Sequence, residues 1–183
     1  MKRLLLLRHA KSSWAVGGVS GADGQPIRDF DRPLNERGRL AAHAIGAYCA
    51  KNTVQPDMIF CSPAARTRET LSRIEASFSR RPPVIFKDVL YLASADRLLQ
   101  EIASASDRDH VLMVIGHNSG LEDVAMFLSN PETSDHGALQ TLMRKFPTGG
   151  LADFHLDIGN WSDIDRSTGA LQRFITPKSL IAH

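Results

Sequence analysis

Apolar residues in this chain gather in short runs separated by longer stretches where they recur every three or four positions. The runs Leu4–Leu7, Met58–Cys61, Val84–Phe86 and Val111–Ile115 have strand length and mostly do not alternate with polar residues, the pattern of strands buried on both faces. Helical periods fill the intervals. Leu40, Ala44 and Tyr48, with Ala41, Ile45 and Cys49 beside them, predict an amphipathic helix that Asn35 caps. Leu71, Ile74 and Phe78 predict a second, opened by Ser62 as cap and Pro63 at the first helical position. Leu98, Leu99 and Ile102 suggest a third. Leu121, Val124, Ala125 and Leu128 suggest a fourth, whose start carries Ser119 and Glu122 at the spacing of a capping box.

Strands alternating with helices imply an α/β fold, a three-layer α/β/α sandwich around a mostly parallel central sheet. The last third is less regular. Ala152, Phe154 and Leu156 alternate partially and Leu171–Ile175 forms another short run, predicting two further strands. Leu139, Leu142, Met143 and Phe146 predict a short helix between them. One stretch, Ser13–Arg32, has no apolar periodicity and carries Gly17, Gly18, Gly21, Gly24 and Pro26. It is long enough for a functional loop that closes over a ligand, and reads equally well as an ordinary surface loop.

Composition narrows the class. With 183 residues, 43% hydrophobic and 23% charged, the chain has the size and balance of one globular domain spanning residues 1–183. Lys and Arg total 22 against 20 Asp and Glu, a net charge of +2, so neither a nucleic-acid nor a membrane-surface partner is expected. Cys49 and Cys61 both fall in apolar patterns and read as reduced core thiols, with a disulfide the weaker alternative. Leu4–Leu7, ended by Arg8-His9, is too short for the apolar stretch of a signal peptide, and no run approaches membrane-spanning length. A cytoplasmic protein is expected.

Three predicted strands run directly into polar clusters: Leu4–Leu7 into Arg8-His9, Met58–Cys61 into Ser62-Pro63-Ala64-Ala65-Arg66, and Val111–Ile115 into Gly116-His117-Asn118. Ligands of open α/β sheets bind beyond the carboxyl ends of the strands, so clusters far apart in sequence can converge there. The convergent set is two arginines and two histidines. Guanidinium forks match phosphate oxygens, helix N-termini add N–H donors and a protonated histidine adds charge, which together describe a site for a phosphoryl group. No metal or other cofactor is called for. A neutral imidazole beside such a pocket can attack phosphorus, and the second histidine would then stabilise charge on the group in transfer.

The same residues resemble a known family. Leu-Arg-His-Ala at the N-terminus, Ser-Pro-x-x-Arg-x-x-x-Thr at Ser62–Thr70 and Gly-His-Asn at Gly116–Asn118 are similar to the histidine phosphatase superfamily, with its phosphoglycerate mutase-like fold. The short chain, Arg-Pro-Leu-Asn-Glu-Arg-Gly at Arg32–Gly38, Leu90-Tyr91 and Phe-Pro-Thr-Gly-Gly at Phe146–Gly150 resemble its small SixA-type phosphohistidine phosphatase branch. The resemblance implies that His9 is the phosphorylated nucleophile, that Arg8 and Arg66 bind phosphate and that His117 is the second histidine of the pocket. It implies a hydrolase acting on phosphohistidine carried by a protein, such as a phosphotransfer domain of a signalling relay, or on a small phosphorylated molecule. A non-catalytic phosphate-binding module is the alternative of another class, and the presence of His9 argues against it. Ala10 stands where many members have glycine. Ser12 and Asn118 are the further candidates for substrate contact, whereas Ala15 replaces an asparagine frequent in the family, which disfavours a mutase-like substrate pocket.

A proton donor for the leaving group is harder to place. Asp29, on the glycine-rich stretch before Arg32-Pro33-Leu34, is the first candidate and Asp88, before Leu90-Tyr91, the second. Arg68 competes with Arg66 for the phosphate role, but the two lie about 200° apart around a helix, so one phosphate cannot face both. His43, His110, His136, His155 and His183 lack metal-ligand spacing and are given no role. Trp14 lines the mouth of the site or is simply a structural tryptophan.

Overall fold

The computed structural model describes residues 1–13 and 27–181. Six strands form one sheet: β1 (Lys2–Arg8), β2 (Met58–Cys61), β3 (Val84–Phe86), β4 (Val111–Gly116), β5 (Leu151–Leu156) and β6 (Gly169–Ile175), in the order β3-β2-β4-β1-β5-β6. β1, β2, β3 and β4 pair in parallel, while β5 runs antiparallel to both β1 and β6. The sheet is therefore mostly parallel, with one reversed strand.

β1 lies between β4 and β5, and Leu4, Leu5, Leu6 and Leu7 are all fully buried. The pleat sends alternate leucines to opposite faces. Leu4 and Leu6 pack with Leu98, Ile102, Leu121, Val124 and Leu142 of the helices α3 (Ala95–Ala103), α4 (Gly120–Leu128) and α5 (His136–Arg144). Leu5 and Leu7 pack with Ile45, Cys49, Leu71 and Ile74 of α1 (Glu36–Lys51) and α2 (Ala65–Ile74). A short sixth helix, α6 (Pro177–Ile181), packs against α1. Helices thus cover both faces, and each buried leucine of β1 contributes about 1.5–3 kcal/mol through removal from water. Cys49 and Cys61 are free, buried thiols, one on each of two neighbouring elements, and the disulfide alternative is excluded.

Local signals held where the backbone alone had to be satisfied. Asn35 caps α1 as predicted, accepting a hydrogen bond from Gly38 N–H at 2.8 Å; Ser94, which the sequence did not single out, caps α3 by accepting from Arg97 N–H. Two other predicted caps are absent. α2 starts at Ala65 rather than at Pro63, and its N-cap residue Ala64 offers no side-chain bond. Ser119 makes no capping bond to α4, and Glu122 accepts from Asn118 Nδ2 instead of closing a capping box. In α1 the buried stripe is Ala41, Ile45 and Cys49, while Leu40 is 59% exposed. Most of the Ser13–Arg32 stretch, including Trp14 and Ala15, lies outside the described residues. Its end forms a single 3-10 turn at Asp29–Asp31.

Candidate active site

Parallel register explains why three distant clusters meet. Arg8 is the register partner of Gly116, so the next residues, His9 and His117, leave the sheet side by side, and His9 N–H donates to Gly116 O at 3.1 Å. Cys61 pairs with Ile115, and Ser62 N–H donates to Ile115 O at 3.0 Å. The two imidazole centroids are 5.2 Å apart. Arg66 reaches the same place from the first turn of α2, its side chain only 3% exposed, whereas Arg68 is exposed and turned elsewhere. A cavity of about 430 Å3 results, lined by Arg8, His9, Ser12, Asp29, Arg66, His117 and Asn118 together with Lys11, Arg32, Leu92 and Thr148. All seven side chains expected at the site are brought together. Asp88 is not among them and lies exposed on another turn.

One ring nitrogen of His9 is tied to the backbone and the other is left unprotonated. Its Nδ1 lies 2.8 Å from Ala10 O, an acceptor only, so Nδ1 carries the proton and Nε2 keeps its lone pair. Burial, offset in part by that bond and reinforced by the charges of Arg66, Arg8 and Arg32, lowers the His9 pKa to about 4. The loop beyond it is tied down by Thr70, whose Oγ1 accepts from Ala10 N–H at 3.0 Å and donates to Arg66 O at 2.7 Å. Arg66 and Thr70 are four residues apart on one helix face, which gives the Arg-x-x-x-Thr spacing a physical reason: one residue faces the cavity and the other anchors the loop after His9.

His117 is oriented by a residue whose capping role failed. Ser62 Oγ, fully buried, lies 2.8 Å from His117 Nε2, while His117 Nδ1 is buried without a partner. Burial, with the neighbouring His9 and Arg66, lowers the His117 pKa to about 3. Both shifts run against the protonated histidine expected from the sequence: the surroundings favour neutral imidazoles, and the fixed positive charges of the lining are Arg8, Arg32, Arg66 and Lys11.

Asp29 enters the site as a bound carboxylate. Arg66 Nη2 donates to its Oδ2 at 3.0 Å and Arg66 Nη1 to its backbone oxygen at 2.6 Å; Arg32 Nη1 donates to its Oδ1 at 2.7 Å, and the Tyr91 hydroxyl to its Oδ2 at 2.6 Å. Against the desolvation that would raise it, the bonds from Tyr91 and Arg32 and the charge of Arg66 hold the Asp29 carboxyl well below the usual carboxylate range.

Arg8 donates from Nη1 to Phe146 O at 2.7 Å, leaving its buried Nε unpartnered, and burial lowers its pKa against the raising influence of Glu122. Asn118 lines the cavity with its amide hydrogens engaged by Glu122 Oε2 at 2.6 Å and Phe146 O at 3.1 Å. Ser12 Oγ accepts from Arg32 Nη2 at 2.7 Å and keeps its own proton available. The Phe146–Gly150 segment braces the Arg8-His9 backbone: Gly149, at φ 76°, donates its N–H to Arg8 O and His9 O at 3.1 and 3.0 Å.

Arg32 and Tyr91 were not singled out by chemistry in the sequence. Arg32, 8% exposed, bridges Ser12 and Asp29, and the Tyr91 ring stands perpendicular to that of His117 with centroids 5.4 Å apart. Both stand inside the stretches that carry the family resemblance, which was the available signal. Among the described residues there is no group of three or more His, Cys, Asp or Glu side chains arranged to hold a metal ion, and no helix is long and apolar enough to cross a membrane.

The sequence pattern of the histidine phosphatase superfamily (branch 1) matches residues 4–90. An uncharacterised protein of Mycobacterium tuberculosis is 31% identical over 174 residues, spanning 94% of this chain and all of its own length. The chain belongs to the histidine phosphatase superfamily. Within it the solved structures point to the SixA-type branch: a candidate phosphohistidine phosphatase SixA from Agrobacterium tumefaciens superposes with a TM-score of 0.74 at 30% identity, covering 96% of this chain and 98% of that one. Its counterpart from Nakamurella multipartitia gives 0.77 at 29% identity, covering 96% of each chain. A protein histidine phosphatase SixA complexed with tungstate shares the fold at 16% identity, with a TM-score of 0.73 and coverage of 97% of this chain and 99% of its own. The two arginines and two histidines that the resemblance singles out, at positions 8, 66, 9 and 117, line one pocket.

Proposed function

We propose that this chain hydrolyses phosphohistidine on a protein, without a metal, through a phosphohistidine intermediate at His9. The observation that carries the reading is the His9 Nδ1 bond to Ala10 O, which leaves Nε2 unprotonated in a pocket bounded by Arg8, Arg66 and His117. In the first step Nε2 forms a bond to phosphorus while the P–N bond of the substrate breaks, and the departing imidazole leaves with the proton it had taken up. In the second, water attacks phosphorus, the P–N bond to His9 breaks, and inorganic phosphate is released with His9 restored. Arg8 and Arg66 neutralise the equatorial oxygens. His117 donates Nδ1–H to one of them, and the bound anion raises its readiness to carry a second proton.

The state of Asp29 supports a P–N substrate. A carboxyl held ionised by Arg32, Arg66 and Tyr91 is a poor proton donor near neutral pH, and it serves as one only after the arginines release it. An imidazole already protonated departs without such help, whereas the alkoxide of a phosphate monoester needs it. The naming of the Agrobacterium and Nakamurella relatives agrees with this substrate class. Ser12 contributes a hydroxyl proton to the phosphoryl group, and Asn118 holds the Arg8 surroundings in place.

The test is a substrate panel run on purified protein and on His9→Ala. A phosphotransfer domain phosphorylated on histidine is expected to be dephosphorylated far faster than sugar or nucleotide phosphates, with an acid-labile, alkali-stable phosphate on His9 trapped by rapid quench. Faster cleavage of the small monoesters overturns the substrate assignment. Unchanged turnover in His9→Ala overturns the mechanism.

A further inference from the structure

Beside the phosphoryl pocket, and sharing Lys11 and Thr148 with it as a common wall, a second cleft of about 420 Å3 opens between the start of α1 and α6. Ala41 and Pro177 line it together with Leu40 and Ile181, which are 59% and 53% exposed. Leu40 is the residue that the periodicity of α1 assigns to the core, and it faces this cleft instead. The charged residues of the lining are Lys11, Arg37 and Lys178, with no carboxylate among them, and none of the three is ion-paired to a described residue.

The cleft is fixed relative to the nucleophile. A Cβ on Gly149 would lie 2.7 Å from Pro177 Cγ, so the first residue of α6 is seated on the glycine whose N–H bonds the Arg8 and His9 carbonyls. One rigid segment therefore registers the cleft against the reacting atoms. Lys11 and Thr148 line both spaces, so a ligand held in the phosphoryl pocket reaches the cleft by extending over that shared wall.

We propose that this cleft docks the polypeptide that carries the phosphoryl group, taking an apolar side chain between Leu40 and Ile181 and placing carboxylates of the partner against Arg37 and Lys178. The partner is thus a phosphoprotein whose surface beside the modified histidine is acidic with an apolar centre, an arrangement of buried anchor and charged rim common to protein interfaces. This inference rests on the reading of the chain as a protein phosphohistidine phosphatase and adds the surface by which it selects a protein.

Steady-state kinetics of wild type, Leu40→Asp and Lys178→Glu decide it, with an acidic phosphotransfer domain charged by phosphoramidate and, in parallel, free phosphohistidine. Both variants are expected to lose about tenfold in kcat/KM on the phosphorylated domain, chiefly through KM, because an interface anchor and a rim charge each change binding on that order. Their turnover of free phosphohistidine stays at the wild-type level, and added salt narrows the gap between wild type and Lys178→Glu on the domain. Unchanged kinetics on the domain in both variants overturns the docking cleft while leaving the functional reading intact, and so does an equal loss on both substrates. Failure of the functional reading looks different: wild type itself then leaves the phosphorylated domain untouched while cleaving small phosphate esters.

Discussion

Ser62 Oγ stands 2.8 Å from His117 Nε2 at the bottom of the pocket, in a position with no exposure to solvent. A hydroxyl can donate or accept, but the bond's direction decides what the pocket offers. When Ser62 donates, Nε2 is the acceptor and Nδ1 carries the proton, so the otherwise unpartnered Nδ1 is the N–H that the proposed mechanism directs at a phosphoryl oxygen. The reverse direction would aim a lone pair at an anion. Ser62 is therefore a positioning residue for His117.

Ser62→Ala is expected to lower kcat by roughly a hundredfold, the scale of losing one aligned donor at a developing negative charge. Leaving a buried ring nitrogen unsatisfied also destabilises the fold by about 1–3 kcal/mol. Nitrogen NMR of His117 separates the two effects: wild type shows a protonated Nδ1 and an unprotonated Nε2, and the variant a mixture. A variant that keeps the wild-type tautomer and rate removes Ser62 from this role.

The two lowered imidazole pKa values predict a pH dependence. His9 and His117, at about 4 and about 3 in the fold, both start from 6.5. Between pH 6.5 and these values the unfolded chain binds protons that the native state does not, so stability rises with pH across that window and is lost as acid is added from 6.5 downward. Melting temperature should fall on acidification through this range, and less steeply in a His9→Gln, His117→Gln double variant. His9 for its part should show no loss of neutral form between pH 8 and 5, visible as ring NMR signals that do not shift across that range.

Asp29→Asn removes the negative charge that shares Arg66 and Arg32 with an incoming phosphoryl group. Inorganic phosphate should then inhibit several-fold more tightly, since the arginines no longer have to give up an anionic partner. Turnover of phosphohistidine should stay within a few-fold of wild type. A selective collapse of monoester cleavage, measured on the same preparation, would identify Asp29 as a proton donor.

Buried thiols give a further check. Desolvation pushes both Cys49 and Cys61 up to about 12, so neither forms a thiolate at neutral pH. Mass spectrometry after alkylation should find both unmodified in the native protein and both labelled after denaturation, with activity unaffected by the native treatment.

Gly38 marks where α1 touches the nucleophile loop. A Cβ there would stand 2.0 Å from Lys11 O, a backbone atom two residues beyond His9. Gly38→Ala should cost about 1–3 kcal/mol by overpacking and lower activity as well, because the strain is delivered to that loop. Thermal denaturation alongside kcat shows both.

How far the sequence could be read depended on the range of the forces involved. Arg8, His9, Arg66 and His117 were legible as a convergent set because each lies at or beyond the end of a buried run, and parallel pairing aligns the ends of such runs. The contact of Asp29 with Tyr91 and Arg66 crosses 62 and 37 positions of chain, and no local pattern encodes it. Caps were misread at two helices for one reason: Ser62 was recruited by His117, and Glu122 by Asn118. A polar side chain next to a buried site serves the group whose unmet bond is costliest, and a helix end near solvent can find water instead. Leu40 was misplaced because periodicity reports which residues are apolar, and the cleft beside α6 uses one of them outside the core.

His9 follows an interior strand of the sheet, with β4 on one edge and β5 on the other. Fraying at β3 or β6 leaves it untouched, so the nucleophile belongs to the unit of the fold that opens last. Catalysis and folding then share one cooperative transition: in rising denaturant, turnover should vanish at the midpoint where sheet structure vanishes, with no inactive but folded stage before it.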